Sequence, residues 1–218
     1  MKYTYVVWDF NGTIFDDVRI GLESLNVLLK RRGLPIIESY ERYKEEFMFP
    51  IIEGYKKWGF DFDKESYDDV AVEWVNEYLS REDEAELVDG VRETLDYFKS
   101  NGLKQIIISA SETSMLIKQL KKLGIEAYFE EVLGLDNVHA AGKKEIALAW
   151  KKKHLDERLL FIGDTDHDHL VAEAINADCI LISSGHQSYG KLLKIKPKLA
   201  VFETNREIID FFEMKKYG

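Results

Sequence analysis

Residues 4–13 read Thr-Tyr-Val-Val-Trp-Asp-Phe-Asn-Gly-Thr, an apolar run that leads directly into a carboxylate and a glycine turn. A run without polar alternation is typical of a strand buried on both faces of a parallel sheet. Comparable runs recur at residues 105–109, 159–163, 179–183 and 199–202. We therefore predict a parallel sheet with helices on both faces.

Amphipathic helical segments separate these predicted strands. They lie at residues 91–100, 114–123 and 144–153, and the first two are followed by Asn-Gly and Gly, which are typical of helix C-termini. Strand and helix therefore alternate from about residue 91 onward. This order predicts a doubly wound α/β sheet.

Residues 16–87, here named the cap segment, interrupt the alternation and contain no convincing strand. Later stretches of this segment, at residues 40–49 and 67–79, have helical spacing and many aromatic residues. Its first helical stripe consists of Val18, Leu22, Leu25 and Leu29. We predict an all-α cap domain at residues 16–87, inserted into an α/β core of residues 1–15 and 88–218.

Composition narrows the class of partner. The 218 residues include 30 Lys and Arg against 40 Asp and Glu, a formal charge of −10. Because phosphate backbones and anionic membranes attract excess cations, this balance disfavours nucleic acid and membrane partners.

Cys179 is the single cysteine, so neither an intrachain disulfide nor a zinc site of several thiolates can form. The first apolar run is too short for a signal peptide or a membrane span, and we expect a cytoplasmic protein.

Polar side chains follow three of the predicted strands, at the edge where open α/β sheets bind ligands. Asp9 follows the first strand, Ser109 and Ala110 follow the second, and Asp164 and Asp168 follow the third. Asp9 and Asp164 together predict an oxygen-rich site of the kind that Mg²⁺ prefers.

A pair of lysines, Lys143 and Lys144, opens the helix before the third of these strands. A lysine ammonium and the Ser109 hydroxyl can hold a phosphate, one by charge and the other by a hydrogen bond. A carboxylate such as Asp9 can attack phosphorus and form an aspartyl-phosphate, while a metal ion and a lysine offset charge in the transition state. The residues therefore indicate phosphoryl chemistry.

Taken together and in this order, these motifs resemble those of the haloacid dehalogenase-like (HAD) hydrolases. The stretch Asp9-Phe10-Asn11-Gly12-Thr13 is similar to the first motif, usually D-x-D-G-T, and Ser109 resembles the second. Lys143 or Lys144 resembles the third, and residues 163–168 resemble the fourth, G-D-x-x-x-D. The cap segment resembles the helical cap of the phosphoglycolate phosphatase-like branch.

The resemblance implies a Mg²⁺-dependent phosphatase for small phosphate monoesters, with phosphoglycolate as the analogy from the branch. Asp9 would be the nucleophile and a Mg²⁺ ligand, together with Asp164 and the backbone carbonyl of Asn11. Asp168 would support the metal site from nearby.

The resemblance also implies how the phosphate is held. Ser109 and Ala110 would bind the phosphoryl oxygens, and Lys143 would bridge the phosphate and Asp9. We prefer Lys143 because Gly142 before it gives a flexible approach, with Lys144 as the alternative.

Asn11 departs from the family pattern, since it stands where the second aspartate of D-x-D-G-T usually donates and accepts a proton. An amide cannot shuttle a proton. General acid–base catalysis, which typically raises the rate about 10²–10⁴-fold, is therefore in question. Three interpretations stay open. In the first, phosphatase activity persists because water, Asp16 or Asp17 replaces the missing aspartate in proton transfer, or because an acidic leaving group needs little help. In the second, the protein cleaves carbon–phosphorus or carbon–halogen bonds. In the third, it binds a phosphorylated ligand with little turnover. The retained Asp164 and Asp168 favour a phosphoryl reaction over dehalogenation.

The cap segment is expected to close over the crevice, with hinges near residues 15–17 and 87–90. Substrate-facing candidates are Arg42, Tyr43, Phe47 and Pro50. Arg42 either pairs with a carboxylate or second phosphate of the substrate, or is a solvated helix residue. The expected partner is a small phosphorylated metabolite, and the chain is expected to be a monomer or a homodimer.

We expect several further residues to have a structural role rather than a catalytic one. His167 and His169 are expected to be spectators in the fourth motif rather than metal ligands. Residues 183–188 favour a plain strand-to-helix connection over a substrate contact. His139 is expected to be structural, and Cys179 to be inert packing.

Overall fold

A six-stranded parallel sheet forms the centre of the protein, and the computed structural model describes residues 2–135 and 142–215. In chain order the strands are β1 (Tyr5–Trp8), β2 (Phe15–Asp16), β3 (Glu86–Leu87), β4 (Lys104–Glu112), β5 (Glu131–Leu135), β6 (Leu159–Gly163), β7 (Asp178–Ile182) and β8 (Ala200–Phe202). The sheet has the order β5-β4-β1-β6-β7-β8, and its neighbours pair in parallel. The predicted doubly wound α/β fold is confirmed.

Helices cover both faces of this sheet. In chain order they are α1 (Val18–Arg31), α2 (Tyr40–Glu46), α3 (Ile51–Lys57), α4 (Tyr67–Leu79), α5 (Val91–Ser100), α6 (Thr113–Leu123), α7 (Lys143–Lys153), α8 (Asp166–Ala174), α9 (Tyr189–Ile195) and α10 (Arg206–Met214). One hydrophobic cluster joins the sheet to α5, α6 and α10, and a second joins it to α7, α8 and α9. None of the described helices is both long and apolar enough to cross a membrane.

Strand β1 shows why its sequence is apolar throughout. Successive side chains of a strand point to opposite faces, so Val6 and Trp8 enter one cluster while Tyr5 and Val7 enter the other. All four side chains are buried, because each face carries its own layer of helices. A strand in this position leaves no face for polar residues.

The edge of the sheet departs from the sequence-based expectation. Strand β4 is longer than the predicted run at residues 105–109, and the edge strand β5 was not predicted. The β5 sequence Glu-Val-Leu-Gly-Leu is only half-buried. It lacks the continuous apolar run of a central strand, so its pairing with Ile106, Ile107 and Ile108 of β4 defines it more than its composition does.

The cap segment is helical, with one addition at its two ends. Strands β2 and β3 pair antiparallel, with Phe15 opposite Leu87 and Asp16 opposite Glu86. This short ribbon joins the two stretches predicted as hinges, and it is too short to leave a period-2 pattern in the sequence. Val88 continues the contact by donating its N–H to the Ile14 carbonyl over 2.9 Å.

The helices of the cap segment have a hydrophobic cluster of their own. Leu25 and Leu28 of α1 pack there with Val70 of α4 and with aromatic residues of the α3 region. On the same α4, Trp74 and Tyr78 also pack against the sheet cluster. The cap segment therefore lies against the α/β core along α4 as well as at the ribbon.

Candidate active site

Asp9 lies directly after β1, between the carboxyl ends of β4 and β6. Its N–H donates to the Ile162 carbonyl over 2.9 Å, which continues the β1–β6 ladder. Lys143, the first residue of α7, donates its ammonium to Asp9 Oδ1 and to Asp168 Oδ1. All three side chains are buried, so the structure places one buried cation between two buried carboxylates.

Burial and neighbouring charges shift the pKa values of Asp9 and Lys143 in opposite directions. Burial raises the pKa of the Asp9 carboxyl above its ordinary value, and the Lys143 ammonium opposes the rise without cancelling it. Burial alone would lower the pKa of Lys143, but Asp168 and Asp9 outweigh it and hold that pKa above its ordinary value. The two carboxylates therefore favour the charged form of Lys143 beside Asp9.

Asp164 faces the same crevice from the end of β6. Its Oδ1 accepts a hydrogen bond from Thr13 Oγ1 over 3.1 Å, and its Oδ2 accepts one from the His186 N–H over 2.6 Å. Burial raises the pKa of Asp164 well above its ordinary value; His186 opposes the rise, and the neighbouring Asp168 and Asp9 add to it.

One carboxylate oxygen from each of Asp9, Asp164 and Asp168 lies within 4.8 Å of the other two. Three buried carboxylates with one lysine leave an excess of negative charge that a divalent cation would neutralise. An oxygen donor set of this kind fits Mg²⁺ better than a soft metal. Among the described residues His167 and His169 are not part of the cluster, and His169 instead pairs with Glu173 over 3.5 Å.

Both oxygens of Asp168 are already engaged. Oδ2 accepts hydrogen bonds from the N–H of Asp164 (3.1 Å), the N–H of Thr165 (3.0 Å) and Thr165 Oγ1 (2.7 Å), which closes a capping box at the start of α8. Oδ1 receives Lys143. This arrangement suits the expected supporting role of Asp168, which orients Lys143 and the Asp164 turn.

The second motif lies in an irregular part of β4. The register between β4 and β5 shifts between Ile108 and Glu112, a distortion that re-aims side chains near many sites. Ser109 is buried within it, and Ser109 Oγ accepts a hydrogen bond from the Ser111 N–H over 3.1 Å. Ala110 is exposed. Roles for Ser109 and Ala110 in holding a phosphate remain predictions.

Asn11 belongs to a hydrogen-bonded network that the sequence did not reveal. Its Nδ2 donates to Asp17 Oδ2 over 2.8 Å and to the Tyr78 hydroxyl over 3.0 Å, and its Oδ1 accepts from Ser111 Oγ over 2.7 Å. Burial alone would raise the pKa of Asp17, but hydrogen bonds and the His186 charge outweigh it and lower that pKa. Asp17 is therefore an ionised acceptor, whereas Asp16 beside it is exposed.

His186 extends this network to the cap segment. Its Nε2 lies 3.1 Å from Asp17 Oδ1, and its Nδ1 lies 3.1 Å from the Tyr43 hydroxyl. Burial alone would lower its pKa, but Asp17 raises the pKa to about 9. A Cβ on Gly21, inside α1, would lie 3.2 Å from the Tyr43 hydroxyl and 3.5 Å from the His186 ring, so glycine gives both side chains room there.

Aromatic residues of the cap segment cover the loop at residues 183–188. Phe47 stacks on His186, and Phe49 lies over His167, with ring centroids 4.9 Å apart in each pair. Lys44, which sequence reasoning missed, donates its ammonium to the carbonyls of Ser183 (2.6 Å) and Ser184 (3.0 Å). The loop predicted as a plain connection thus holds the cap segment onto the core.

Other candidates from the sequence lie apart from the crevice. Arg42 has a half-exposed side chain and pairs with Glu46 over 3.1 Å, an arrangement that favours the solvated alternative. Lys144 is exposed on α7, whereas its neighbour Lys143 is buried. Cys179 is buried in β7, and burial raises the pKa of its thiol, which fits inert packing. His139 lies outside the described residues.

A cavity of about 450 Å³ opens between the cap segment and the core. Residues from both parts line it, among them Asp16, Arg19, Tyr40, Lys44 and Ser184. Asp16 precedes the buried Asp17, and Ser184 lies two residues before His186. The lining residues do not include Asn11, Asp17 or the carboxylates of Asp9, Asp164 and Asp168.

The doubly wound sheet, with carboxylates at its strand ends and a lysine at the start of α7, places the protein among the α/β proteins that bind ligands at this edge of the sheet. The chain belongs to the haloacid dehalogenase-like hydrolase family, because the sequence profile of that family matches residues 6–182. The resemblance to this family noted in the sequence is confirmed, and phosphoglycolate phosphatase relatives support the phosphoglycolate phosphatase-like branch.

Individual relatives agree with this placement. The chain is 26% identical to a phosphoglycolate phosphatase from Caulobacter vibrioides over 188 residues, which cover 83% of this chain and 79% of that protein. It is 25% identical to the tyrosine-protein kinase PtkA of Mycobacterium tuberculosis over 185 residues, but spans only 62% of that protein. The solved structure of a haloacid dehalogenase-like hydrolase from Streptococcus pneumoniae matches with a TM-score of 0.79 and 22% identity, covering 97% of this chain and 99% of that one.

Proposed function

We propose that this protein is a Mg²⁺-dependent phosphatase that hydrolyses a small phosphate monoester through an aspartyl-phosphate on Asp9. The observation that supports this proposal most is the buried Lys143 ammonium between Asp9 and Asp168, next to Asp164 at the strand ends. A nucleophilic carboxylate needs a nearby cation to approach an anionic phosphate. Lys143 supplies that charge at the nucleophile itself.

The reaction has two steps in this proposal. An Asp9 carboxylate oxygen bonds to phosphorus while the bond from phosphorus to the leaving-group oxygen breaks. Water then attacks the phosphorus of the aspartyl-phosphate, the bond to Asp9 breaks, and inorganic phosphate leaves. Lys143 and Ser109 hold the phosphoryl oxygens during both steps, Lys143 by charge and Ser109 by a hydrogen bond.

Asp9, Asp164 and the backbone carbonyl of Asn11 would hold Mg²⁺, with Asp168 orienting their surroundings. When bound, Mg²⁺ offsets the negative charge of the phosphate and of the transition state. Lys143 offsets only one of the three negative charges, so without a metal ion the remaining carboxylates repel one another, and burial strengthens the repulsion.

Proton transfer at position 11 differs from the family pattern, because the Asn11 amide has no proton to exchange. The leaving-group oxygen then takes its proton from water. We expect the enzyme to favour acidic leaving groups, since they need little protonation.

The substrate is proposed to be a small phosphorylated metabolite, and phosphoglycolate is the analogy offered by the phosphoglycolate phosphatase relatives. Phe47 and Phe49 of the cap segment contact His186 and His167 beside the crevice, which fits a substrate small enough to lie beneath the cap segment. The net charge of −10 supports partners other than nucleic acids or anionic membranes. A cytoplasmic location and a monomeric or homodimeric state are part of the same proposal.

A second candidate function is binding of a phosphorylated ligand with little turnover. The observation that favours it is Asn11, whose amide is fully engaged with Asp17, Tyr78 and Ser111. The binding residues Lys143 and Ser109 would serve either function.

Hydrolysis of p-nitrophenyl phosphate and phosphoglycolate, with MgCl₂ and with EDTA, separates the two candidates. We expect Mg²⁺-dependent turnover that Asp9→Asn abolishes and that is faster for the aryl ester. Asp63→Asn makes the same chemical change at an exposed position of the cap segment and serves as the matched control.

Turnover that persists in Asp9→Asn would contradict the aspartyl-phosphate. If the wild-type chain binds phosphoglycolate in a calorimeter but hydrolyses neither ester, the binding function replaces the catalytic one. Equal turnover in MgCl₂ and EDTA would remove the metal from the proposal.

A further inference from the structure

Asn11 and Asp17 form a contact in which the hydrogen-bonding atoms of both side chains have partners. Both donors of the Asn11 amide are used, one by Asp17 Oδ2 and one by the Tyr78 hydroxyl, and its oxygen accepts from Ser111. Each Asp17 oxygen accepts two hydrogen bonds. Oδ2 receives Asn11 and Tyr78 (2.8 Å), and Oδ1 receives the Gly12 N–H (2.9 Å) and His186 (3.1 Å).

These contacts leave Asp17 no free lone pair with which to serve as a base. Its carboxylate instead ties together the loop that carries Asp9, the cap segment through Tyr78, and the loop that carries His186. Asp17 is only 2% exposed, so water has little access to replace a lost donor, and an unsatisfied Asp17 oxygen would destabilise the fold. The contact from position 11 therefore has to come from a hydrogen-bond donor.

A carboxylate at position 11 would be in conflict with this arrangement. The Asn11 Nδ2 to Asp17 Oδ2 distance is 2.8 Å, so Asn11→Asp would bring two carboxylate oxygens to that separation. Like charges so close in a buried site repel strongly. The substitution that recreates D-x-D-G-T would thus disturb this site unless position 17 changes with it.

We propose that Asp17 is a positioning residue for the catalytic loop, and that Asn11 and Asp17 are a matched amide–carboxylate pair that can be exchanged together but not singly. The part of this proposal that concerns turnover rests on the proposed phosphatase function. The part that concerns stability does not.

The exchanged pair, Asn11→Asp with Asp17→Asn, can keep the same contacts with their directions reversed. The new amide at 17 donates to the new carboxylate at 11, and its oxygen still accepts from the Gly12 N–H and from His186. The Tyr78 hydroxyl turns to donate to position 11, and Ser111 Oγ donates there as before. The pair keeps one negative charge, and the side chains keep nearly the same volume.

Thermal unfolding of four chains tests the pairing: wild type, Asn11→Asp, Asp17→Asn and the double exchange. For a chain of this size we expect each single substitution to lower Tm by roughly 3–8 °C. The double exchange should recover at least half of the summed loss. The control is Asn11→Asp with Asp16→Asn, which removes the exposed neighbouring carboxylate and should recover nothing.

Turnover supplies a readout that a purely structural role would not change. The double exchange places a carboxyl group at position 11, and its protonated form can donate a proton to a leaving group. We expect its ratio of kcat/KM for phosphoglycolate over p-nitrophenyl phosphate to rise at least about tenfold above wild type, since general acid catalysis contributes about 10²–10⁴-fold. Asn11→Asp alone should raise this ratio less than the double exchange does.

The outcomes separate this inference from the proposed function. A Tm loss in the double exchange equal to the sum of the single losses overturns the pairing, as does an Asn11→Asp chain as stable as wild type. An unchanged substrate ratio in an active double exchange overturns the positioning role. If the Tm values show recovery while none of the chains hydrolyses either ester, the pairing holds and the phosphatase function fails.

Discussion

The Phe47 ring stacks on the His186 imidazole, with ring centroids 4.9 Å apart and an interplanar angle of 29°. Phe47 ends α2 in the cap segment. His186 follows β7 in the core, and its N–H binds Asp164 over 2.6 Å. The stack therefore connects the cap segment to a residue that holds the candidate metal ligand.

Phe47→Ala should weaken closure over the crevice. We expect KM for phosphoglycolate to rise roughly 5–50-fold with a smaller change in kcat. The reason is that the Phe47 ring joins the cap segment to His186 and does not touch Asp9. Phe62→Ala is the matched control, since Phe62 packs against Tyr55, Phe60 and Tyr67 within the cap segment. Steady-state kinetics measure both, and equal KM changes in the two variants would contradict the role of the stack.

Lys143→Met and Lys144→Met should differ sharply. Removing Lys143 leaves Asp9 and Asp168 buried without their shared cation, a loss of about 3–5 kcal/mol where such a pair is broken. We expect kcat/KM to fall more than about 100-fold as well. Lys144 is exposed, so its variant should stay within about 0.5 kcal/mol of wild type. Denaturant unfolding and steady-state kinetics measure both effects. Similar losses of stability and of kcat/KM in the two variants would contradict the assignment of Lys143 as the phosphate-binding lysine.

Mg²⁺ should stabilise the folded chain through Asp9, Asp164 and the backbone carbonyl of Asn11. At about 100 times Kd, binding adds about 2.7 kcal/mol, and EDTA should remove it. Asp164→Asn should abolish most of the Mg²⁺-dependent rise in Tm, while Asp178→Asn should keep it, because Asp178 begins β7 and lies outside the described metal-ligand cluster. Thermal unfolding across a MgCl₂ titration gives the measurement, and an undiminished rise in Asp164→Asn would place the metal elsewhere.

Asp178 should contribute a pH-dependent part of the stability. Burial alone would raise its pKa, but hydrogen bonds from Lys198, Lys2 and Tyr3 outweigh it and hold the pKa well below its ordinary value. A carboxyl whose folded pKa is lowered stabilises the fold above its unfolded pKa of about 3.9, and this contribution disappears as pH falls toward the folded pKa.

The difference in Tm between wild type and Asp178→Asn should therefore be full at pH 7 and shrink below about pH 4. Lys2→Met removes one donor, whose Nζ lies 2.6 Å from Asp178 Oδ2, and should show a smaller difference with the same pH dependence. A difference that stays constant from pH 7 to pH 2 would show that charge at Asp178 does not contribute.

Local signals in the chain allowed the central strands to be predicted. Strands β1, β6 and β7 are buried on both faces, so each contains a run of at least four consecutive residues without a charged side chain and is recognisable by itself. Asp9 and Asp164 follow two of these strands directly, which is why the crevice could be located before the tertiary contacts were known. Strand β5 and the β2–β3 ribbon carried no such signal, because one is a half-buried edge and the other has two residues in each strand.

The candidate site could be predicted only in part. In the sequence only the preceding Gly142 favoured Lys143 over Lys144. Burial at the start of α7 distinguishes them, since Lys143 is buried and Lys144 is exposed. Lys44, Tyr78 and His186 lie far from Asn11 and Asp17 in sequence and gave no pattern that would link them. Tyr78 meets Asp17 within the folded cap segment, whereas the contacts of His186 with Asp17 and of Lys44 with Ser183 arise when the cap segment packs on the core.

By itself the sequence determined the doubly wound sheet, the helical cap segment and the residues at the strand ends, because these depend on local hydrophobic pattern and on short motifs. Tertiary structure alone decided which lysine reaches Asp9, how Phe47 closes on His186, and why an amide occupies position 11. Each of those features depends on side chains that are distant in sequence and are brought within hydrogen-bonding distance by burial. Complementarity of donor, acceptor and charge across such contacts is a property of the folded chain.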